Sequence, residues 1–316
     1  MNLAWLRKYY PYSNGTCSHD VIGRLFQRLN HQQFNECFTS WARQRYKLDT
    51  GELIAIDGKR ACGSYDKATG TLASHIVSAY ASAGEICIGQ AVTDQKSNEI
   101  TAIPELPDSI DVRSAIISID AMGCQREIAE KIISKKADYI LAVKGNQGYL
   151  YDELVDLFGS RQAFERHTMV ETGHGRIERR TATLLDPAGL MEDQGKWPGL
   201  KCLVRIDTER YIKSSGHTST ETRYYISSCT GLPAERMNHM VRQHWSVENK
   251  LHWQLDVSFG EDGARKRVGN AAKNFNLVLK TALALLQRDK TNKMSVKRKG
   301  MKASFDVKYR EQLMKV

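Results

Sequence analysis

Residues 53–57, Leu-Ile-Ala-Ile-Asp, and residues 114–120, Ser-Ala-Ile-Ile-Ser-Ile-Asp, are two apolar runs that each end in an aspartate. Short apolar runs of this kind are typical of strands that are buried on both faces of a sheet. A helical pattern at residues 124–135 and a further apolar run at residues 139–143 follow the second one. Because strand, helix and strand in this order form βαβ units with parallel strands, the sequence predicts an α/β sheet.

The first run is predicted to stop at Asp57-Gly58, which is a turn signal. Two more strands are predicted after it, at residues 74–81 and 86–93, with a turn at residues 82–85. The first three strands would then form a meander. Helices are predicted at residues 20–48 and directly after Lys96-Ser97-Asn98-Glu99, where Ser97 or Asn98 can cap the helix.

The pattern of apolar and polar residues changes after residue 165. Loosely alternating strands are predicted at residues 168–172, 178–183 and 223–227, with long polar connections, and helical patterns return at residues 234–253 and 271–287. We interpret the middle as a β-rich insertion in the α/β core. The predicted regions are a partial N-terminal helical region (1–50), the first part of the core (51–160), the insertion (161–230), core helices (231–288) and a basic tail (289–316).

Composition favours a globular cytoplasmic protein. Hydrophobic residues make up 41% of the chain and charged residues 26%, which is ordinary for that class. The longest apolar stretch, residues 277–286, contains Lys280 and is too short to span a membrane, so no membrane partner is expected. The chain start lacks the features of an export signal. The 7 cysteines form no Cys-x-x-Cys pair, which argues against a zinc knuckle and a disulfide framework.

The net charge of +10 makes a polyanionic partner plausible. From Arg288 to the end there are ten Lys or Arg and three acids, so this tail carries +7 of the +10. Such a tail can hold DNA phosphates without sequence preference, but a solvated terminus explains it equally well.

Asp57 and Asp120 stand where two predicted strands end. In open α/β sheets the ligand site lies at the carboxyl ends of the strands, so both carboxylates would reach one region if the strands are neighbours. Two close carboxylates repel unless cations neutralise them, and oxygen ligands suit Mg²⁺ or Mn²⁺. A pair of such ions can activate a nucleophile for phosphoryl transfer. The alternative is that each aspartate only begins a turn.

A third acid, Glu248, lies in a helical segment with two histidines. On a helix, His244, Glu248 and His252 are spaced i, i+4 and i+8 and share one face. This face could be functional, or it could be a buried polar network beside the core. A zinc site built on both histidines is a weaker alternative, because the His-Glu-x-x-His motif is absent.

Basic and amide side chains occur at two further places. Lys144, Asn146 and Gln147 follow the strand at residues 139–143 and could contact a phosphate, or form a solvated turn. Arg176 and Arg179, with His174 and Arg180, lie on a predicted hairpin of the insertion that suits contact with the DNA backbone.

Five ordered motifs carry a resemblance to a known family over about residues 1–288. They are Ile56-Asp57-Gly58-Lys59, Lys96-Ser97-Asn98-Glu99-Ile100, Asp120-Ala121-Met122-Gly123-Cys124-Gln125, Ala142-Val143-Lys144-Gly145-Asn146-Gln147 and residues 244–253, His-Trp-Ser-Val-Glu-Asn-Lys-Leu-His-Trp. With these motifs the chain resembles the H-repeat-associated proteins of enterobacteria, a branch of the bacterial insertion-sequence DDE transposases. The resemblance implies an RNase H-like α/β core, flanked by helices, with a β-rich insertion between the second and third catalytic acids.

The same resemblance implies that Asp57, Asp120 and Glu248 bind two Mg²⁺ (or Mn²⁺) ions and carry the catalysis. The wider superfamily places Tyr, Arg and Lys at fixed intervals around the last acid, where this chain has Val241, His244 and Leu255. Arg242 and Lys250 are expected to replace part of that phosphate clamp. The full set of residues expected to contact DNA is Lys59, Lys144, Asn146, Arg176, Arg179, Arg242, His244 and Lys250.

The predicted function is metal-dependent DNA cleavage and strand transfer of an insertion-sequence element. The expected partner is double-stranded DNA, both element ends and target, bound by a homodimer in the bacterial cytoplasm in association with the nucleoid. Relatives carry an additional N-terminal helical segment, so a truncated, catalytically inactive DNA-binding relic is one alternative. The other is an RNase H-like nuclease that cleaves DNA without joining it.

Overall fold

Nine strands form one continuous mixed sheet in the computed structural model, which describes residues 3–65, 67, 70, 72–93, 99–191 and 194–315. The strands are β1 (Leu53–Arg60), β2 (His75–Ala81), β3 (Ile86–Thr93), β4 (Ile116–Ile119), β5 (Asp138–Val143), β6 (Glu165–Gly173), β7 (Arg176–Leu185), β8 (Cys202–Ile212) and β9 (His217–Ser227). Their order across the sheet is β3-β2-β1-β4-β5-β9-β8-β7-β6.

The helices pack on both faces of this sheet and at its ends. They are α1 (Leu3–Leu6), α2 (His19–Arg28), α3 (His31–Arg45), α4 (Glu99–Ala102), α5 (Leu106–Ser109), α6 (Arg126–Ser134), α7 (Gly148–Ser160), α8 (Ala234–His244), α9 (Trp253–Val257), α10 (Ala271–Arg288), α11 (Val296–Phe305) and α12 (Val307–Lys315). None of the helices in the described ranges is long and apolar enough to cross a membrane.

The α/β part of the sheet has the predicted connections. β1, β2 and β3 form an antiparallel meander, and β1, β4 and β5 are parallel. The connection from β4 to β5 runs through α6, which buries Ile128 and Ile132 against the sheet. The meander and the βαβ unit are therefore confirmed.

The prediction that the first strand stops at Asp57-Gly58 is wrong. β1 continues through Gly58 to Arg60, because it pairs with β2 along that whole length, up to Arg60 opposite His75. Gly58 does not form a turn. A Cβ atom at this position would meet the ends of the Glu99 and His75 side chains, so a larger residue here would displace that ion pair.

The predicted helix at residues 20–48 consists of two helices. α2 ends at Arg28 and α3 begins at His31, with the Asn30 side chain accepting a hydrogen bond from the Gln33 backbone N–H as its N-cap. Downstream, α4 begins at Glu99. The predicted cap at Ser97 or Asn98 lies outside the described residues.

The predicted insertion extends the core sheet. Strands β6 to β9 form an antiparallel meander, and β9 pairs with β5, so the nine strands are continuous. Strand β8 has no counterpart among the predicted strands, because its first half is mostly buried without alternation and its second half is only partly exposed. The predicted hairpin at Arg176 is confirmed, with His174 and Gly175 as its two-residue turn, both at positive φ.

The helical pattern predicted at residues 234–253 is interrupted. α8 ends at His244, and residues Val247–His252 form a π-helical turn before α9 begins. In this turn the Trp253 backbone N–H donates to the carbonyl of Glu248, five residues earlier. Such turns insert an extra residue into a helix and are frequent at functional sites.

The basic tail is folded, in contrast to the solvated terminus that its composition suggests. α11 and α12 pack on the end of α10, where Leu286, Tyr309 and Leu313 form a small core cluster. The buried Lys299 ammonium donates to the backbone carbonyls of Leu286 and Asp289.

Candidate active site

Asp57 and Asp120 are brought together by the pairing of two adjacent parallel strands. The register pairs Ile56 of β1 with Ile119, the last residue of β4, and an acid follows each of them: Asp57 within β1 and Asp120 just after β4. The Asp120 carboxylate also accepts a hydrogen bond from the Met122 backbone N–H, which caps the short helical turn that follows β4. The two carboxylates therefore lie at the same edge of the parallel strands.

Glu248 reaches this region through His252. The Nδ1 atom of His252 lies 3.4 Å from an oxygen of Asp57 and 3.2 Å from an oxygen of Glu248. The ligand atoms of these three side chains all lie within 4.8 Å of one another, which is close enough to hold a metal ion. Asp120 is not part of this three-residue group, but it adjoins the group through the pairing of β1 with β4.

The pKa values show how strongly the acids interact. Burial raises the pKa of Asp120, and the negative charges of Asp57 and Glu99 raise it further. Burial also acts to raise the pKa of Asp57, but hydrogen bonding and attraction from His252 outweigh it and lower that pKa. Burial acts to lower the pKa of His252, and its contacts with Asp57 and Glu248 raise it above the ordinary value. The site therefore holds excess negative charge.

A further acid, Glu99, borders the site. Its side chain is buried and forms an ion pair with His75, directly beside Gly58 of β1. It is therefore close enough to Asp120 to raise the pKa of that carboxyl. Glu99 adds to the negative charge that a cation at this site would neutralise.

Two cavities flank the acids and share a wall. One, of about 300 Å³, is lined by Asp120, Lys144 and His244 among others. The other, of about 280 Å³, is lined by Glu248, Arg210 and Arg242 among others. Both include Arg223 and Trp245, whose guanidinium and ring stack at 4.8 Å. Asp120 and Glu248 thus border one groove, formed by the two cavities, that also contains several arginines, while Asp57 lines neither cavity.

Comparison with protein families identifies the chain. The transposase DDE domain family matches residues 39–286, and a second family model, described as associated with that domain, matches residues 1–42. The chain belongs to the DDE transposase family. Proteins of this family use divalent metal ions, which fits the negative charge of the site.

Several bacterial relatives are similar to this transposase over most of their length. It is 41% identical over 315 residues to YbfL of Escherichia coli K12, covering 98% of this chain and 83% of YbfL. The H repeat-associated protein YhhI of the same strain, provisionally named a transposase, is also 41% identical over 315 residues, with the same coverage of 98% and 83%. Among solved structures, the piggyBac transposase in a synaptic complex with hairpin DNA has a TM-score of 0.47 and 10% identity, over 94% of this chain and 61% of that chain.

The predicted DNA contacts of this transposase fall into two groups, and those in the first are engaged within the protein. The Lys59 ammonium lies among three carboxylates, 2.7 Å from Asp256, 3.0 Å from Asp262 and 3.3 Å from Glu261. A contact between Lys59 and a DNA phosphate would require it to leave these partners. The Asn146 amide donates to the backbone carbonyl of Ala121 at 2.7 Å, so it ties the loop after β5 to the loop that follows Asp120.

Lys250 and His244 also have partners within the protein. The Lys250 ammonium lies 2.6 Å from a carboxylate oxygen of Glu85. The His244 imidazole lies 2.9 Å from the Ser118 hydroxyl of β4, and burial lowers its pKa. The two histidines of the predicted helical face therefore contact different strands, His244 contacting β4 and His252 contacting β1.

The second group borders the two cavities or lies on the β6–β7 hairpin. Lys144 is exposed at the end of β5 and lines the cavity beside Asp120. Arg179 is exposed and Arg176 is half-buried on β7. Arg242 lies 3.4 Å from an oxygen of Glu171 and borders the cavity beside Glu248.

The sequence places His252 on a helical face with Glu248 but does not predict its contact with Asp57, and it predicts no role for Glu99 or Arg223. The link between His252 and Asp57 joins residues almost two hundred positions apart, and no local pattern reports it. Glu99 could have been noticed, because it lies in one of the motifs that carry the family resemblance. Arg223 could have been noticed from the alternation of β9, which places every second side chain on one face.

Proposed function

We propose that this transposase cleaves and joins DNA with Asp57, Asp120 and Glu248 as its metal-binding acids. One observation carries the proposal: two aspartates in register on adjacent parallel strands, with Glu248 brought to the first of them by a shared histidine. Burial, and after it the negative charges of Asp57 and Glu99, raises the pKa of Asp120. Carboxylates placed this way repel each other unless cations neutralise them.

We further propose that the core is RNase H-like. The strand order β3-β2-β1-β4-β5, with an antiparallel meander followed by two parallel strands, supports this assignment. The strands β6 to β9 lie in sequence between Asp120 and Glu248, which supports an insertion between the second and third acids.

The residues fit two Mg²⁺ ions. Carboxylate oxygens are the ligands that Mg²⁺ prefers, and Mn²⁺ accepts the same set. When bound, two such ions would activate a water or a 3′-hydroxyl and stabilise the oxygen that leaves the phosphate. Asp57, Asp120 and Glu248 would hold them, while His252, whose Nδ1 contacts two of these acids, would keep the carboxylates in place.

The groove beside the acids would hold the DNA backbone. Lys144 on one side and Arg242 on the other border the two cavities next to the acids, and both can contact phosphates. Arg176 of the β6–β7 hairpin would extend this surface, and Arg179, on the opposite face of the sheet, would contact DNA outside the groove. We include in the proposal that a homodimer on paired element ends, associated with the nucleoid, is the working form.

The test is incubation of the purified full chain with DNA that carries its flanking element ends, with and without Mg²⁺. Wild-type protein should cleave the ends and produce joined products only with the metal. Asp57→Asn and Glu248→Gln should reduce both products to background while DNA binding persists. Glu130→Gln, at an exposed acid on α6, is the matched control and should behave as wild type.

Each departure from this result would point to a different function or overturn the assignment of the acids. Metal-dependent cleavage that never yields joined products would indicate a nuclease. Salt-sensitive DNA binding with no cleavage would indicate a non-catalytic relic. Equal cleavage by Glu248→Gln and wild type would overturn the assignment of the acids.

A further inference from the structure

The imidazole of His252 has two nitrogens with different surroundings. Nδ1 faces oxygens of Asp57 and Glu248, which as carboxylates only accept hydrogen bonds, so Nδ1 carries a hydrogen. Nε2 is buried and has no hydrogen-bond partner among the side chains and backbone groups of the described residues. Because His252 is 3% exposed, bulk solvent does not satisfy this atom. A buried polar atom of this kind normally has a partner.

A small cavity next to His252 contains candidate partners. Its volume is about 10 Å³, close to the minimum needed for one water molecule, and its lining includes His252, Asn276 and Lys280. Asn276 is 4% exposed and Lys280 is 2% exposed, and both project from α10. The cavity therefore contains three buried polar side chains and has the right size for a single water.

Around the cavity, an acceptor of Asn276 and a hydrogen of Lys280 have no hydrogen-bond partner among the described residues. The Asn276 amide nitrogen donates to Glu261 at 2.5 Å, so its Oδ1 atom faces away from that acid and is an unpaired acceptor. The Lys280 ammonium has three hydrogens and donates two of them, to the Ser78 hydroxyl at 2.8 Å and to Gln90 at 2.7 Å. One water that accepts from Lys280 and donates to Asn276 and to His252 Nε2 would complete all three groups.

The same lysine is connected to Asp57 by a second route. Ser78 of β2 stands directly opposite Asp57 of β1 in the antiparallel register, so the two side chains share one face of the sheet. The Ser78 hydroxyl is a hydrogen-bond partner of Lys280. Helix α10 therefore reaches the neighbours of Asp57 both through Ser78 and through the cavity next to His252.

We infer that His252 is a positioning residue whose Nδ1 holds Asp57 and Glu248 together and whose Nε2 is held by one buried water shared with Asn276 and Lys280. This inference rests on the proposed function, because it assigns Asp57 and Glu248 to metal binding. Outer contacts of this kind orient metal ligands, and their loss weakens metal affinity by about 10–100-fold.

Mn²⁺ affinity, measured on the full chain by electron paramagnetic resonance without DNA, tests the connection. Lys280→Met should weaken Mn²⁺ binding by about 10-fold or more. Lys299→Met is the matched control, because Lys299 is also a buried lysine on a nearby helix but has no link to the acids. It should lower the melting temperature and leave the Mn²⁺ affinity unchanged. Equal affinities in wild type and Lys280→Met, or equal losses in both variants, would overturn the inference.

Two substitutions of His252 separate its two nitrogens. The amide nitrogen of Asn lies near the position of Nδ1 and that of Gln near the position of Nε2. His252→Gln should therefore lose the hold on the acids and weaken Mn²⁺ binding by about 10-fold or more. His252→Asn should lose less and should no longer respond to Lys280→Met, because the link between them is already broken. If Lys280→Met weakens Mn²⁺ binding equally in wild type and in His252→Asn, Lys280 does not act through His252, and the inference is overturned.

A crystal structure of the metal-free wild-type protein would show directly whether a water molecule occupies the cavity. It should show one ordered water within hydrogen-bond distance of His252 Nε2, Asn276 Oδ1 and Lys280 Nζ. A dry cavity would overturn the inference even if the variants fail to fold. The proposed function fails separately, when wild-type protein binds Mn²⁺ but does not cleave DNA.

Discussion

Ile56 of β1 is paired with Ile119 of β4, and this one pairing sets Asp57 and Asp120 side by side. Neither aspartate could be moved by one position without turning its side chain to the other face of the sheet, because side chains alternate along a strand. The register of two buried strands therefore fixes the spacing of the two acids. The pairing therefore concentrates negative charge at the proposed metal site.

Asp120→Asn should make the metal-free protein more stable. Its carboxylate is crowded by Asp57 and Glu99, while asparagine keeps the capping hydrogen bond to Met122 without the charge. We expect the melting temperature without metal to rise by about 1–3 °C. Mg²⁺ should raise the melting temperature of wild type but not of the variant. A metal-free variant that melts below wild type would show that the crowding does not destabilise the fold.

Lys59→Met should destabilise the protein because three acids lose their common cation. The lysine side chain is 14% exposed and contacts Asp256, Glu261 and Asp262. Removal of one partner from a fully buried ion pair costs about 3–5 kcal/mol, and we expect about 2–3 kcal/mol here because the site is partly solvated. Urea denaturation at pH 7.5 measures the loss. Lys59→Arg, which keeps the charge, should recover most of it.

The exposed Lys201→Met is the control for this experiment and should change the free energy of unfolding by less than about 0.5 kcal/mol. Lys59→Met also tests the predicted role of Lys59 in DNA binding. A phosphate contact would appear as a shallower dependence of DNA affinity on salt concentration. An unchanged salt dependence together with the lost stability would assign Lys59 to the fold alone.

The two aspartates could be predicted because their signal is local. Each follows an apolar run whose length and composition indicate a buried strand, and the βαβ pattern indicates that the strands are parallel. The extension of β1 to Arg60 could not be predicted, because it depends on pairing with β2. A strand continues as long as it has a hydrogen-bonding neighbour, and the turn propensity of Asp57-Gly58 is too weak to end it.

The environment of His252 could not be predicted for a different reason. A regular helix places residues 244, 248 and 252 on one face, but the π-helical turn rotates the second half of that segment relative to the first. No feature of the sequence reports the extra residue in this turn. The folded tail was missed because its composition is dominated by charge, whereas a few apolar residues and one buried lysine hold it on α10.

Arg179→Ala should weaken DNA binding without affecting the fold. Arg179 is exposed on β7, and each phosphate contact contributes about 0.9 to the slope of the logarithm of affinity against that of salt concentration. The variant should lower the slope by about that amount, as measured by fluorescence anisotropy at several salt concentrations. The neighbouring Arg180 is 6% exposed and paired with Glu171 and Glu178, so Arg180→Met should lower stability. If the slope for Arg179→Ala equals that of wild type, Arg179 of the hairpin does not contact a DNA phosphate.

Tyr309→Phe should loosen the tail in a pH-dependent way. The Tyr309 hydroxyl donates to the buried Asp289 carboxylate at 2.6 Å, and a hydrogen bond to a charged group contributes about 1.5–3 kcal/mol. Burial acts to raise the pKa of Asp289, but hydrogen bonds from Thr291 and Tyr309 outweigh it and lower that pKa. The stability that this carboxylate contributes is present above the ordinary aspartate pKa of about 3.9 and is lost as the pH falls through the lower value in the folded protein.

The difference in unfolding free energy between wild type and Tyr309→Phe should therefore be largest near neutral pH and should narrow near pH 3. Urea denaturation at both pH values measures it, with Tyr211→Phe, at an exposed tyrosine of β8, as the matched control. A difference that is as large at pH 3 as at pH 7 would mean that the hydroxyl does not act through the ionised carboxylate. Since this bond joins the end of α10 to α12, its loss should also speed proteolysis of the last two helices while the Mn²⁺ affinity of the distant acids stays unchanged.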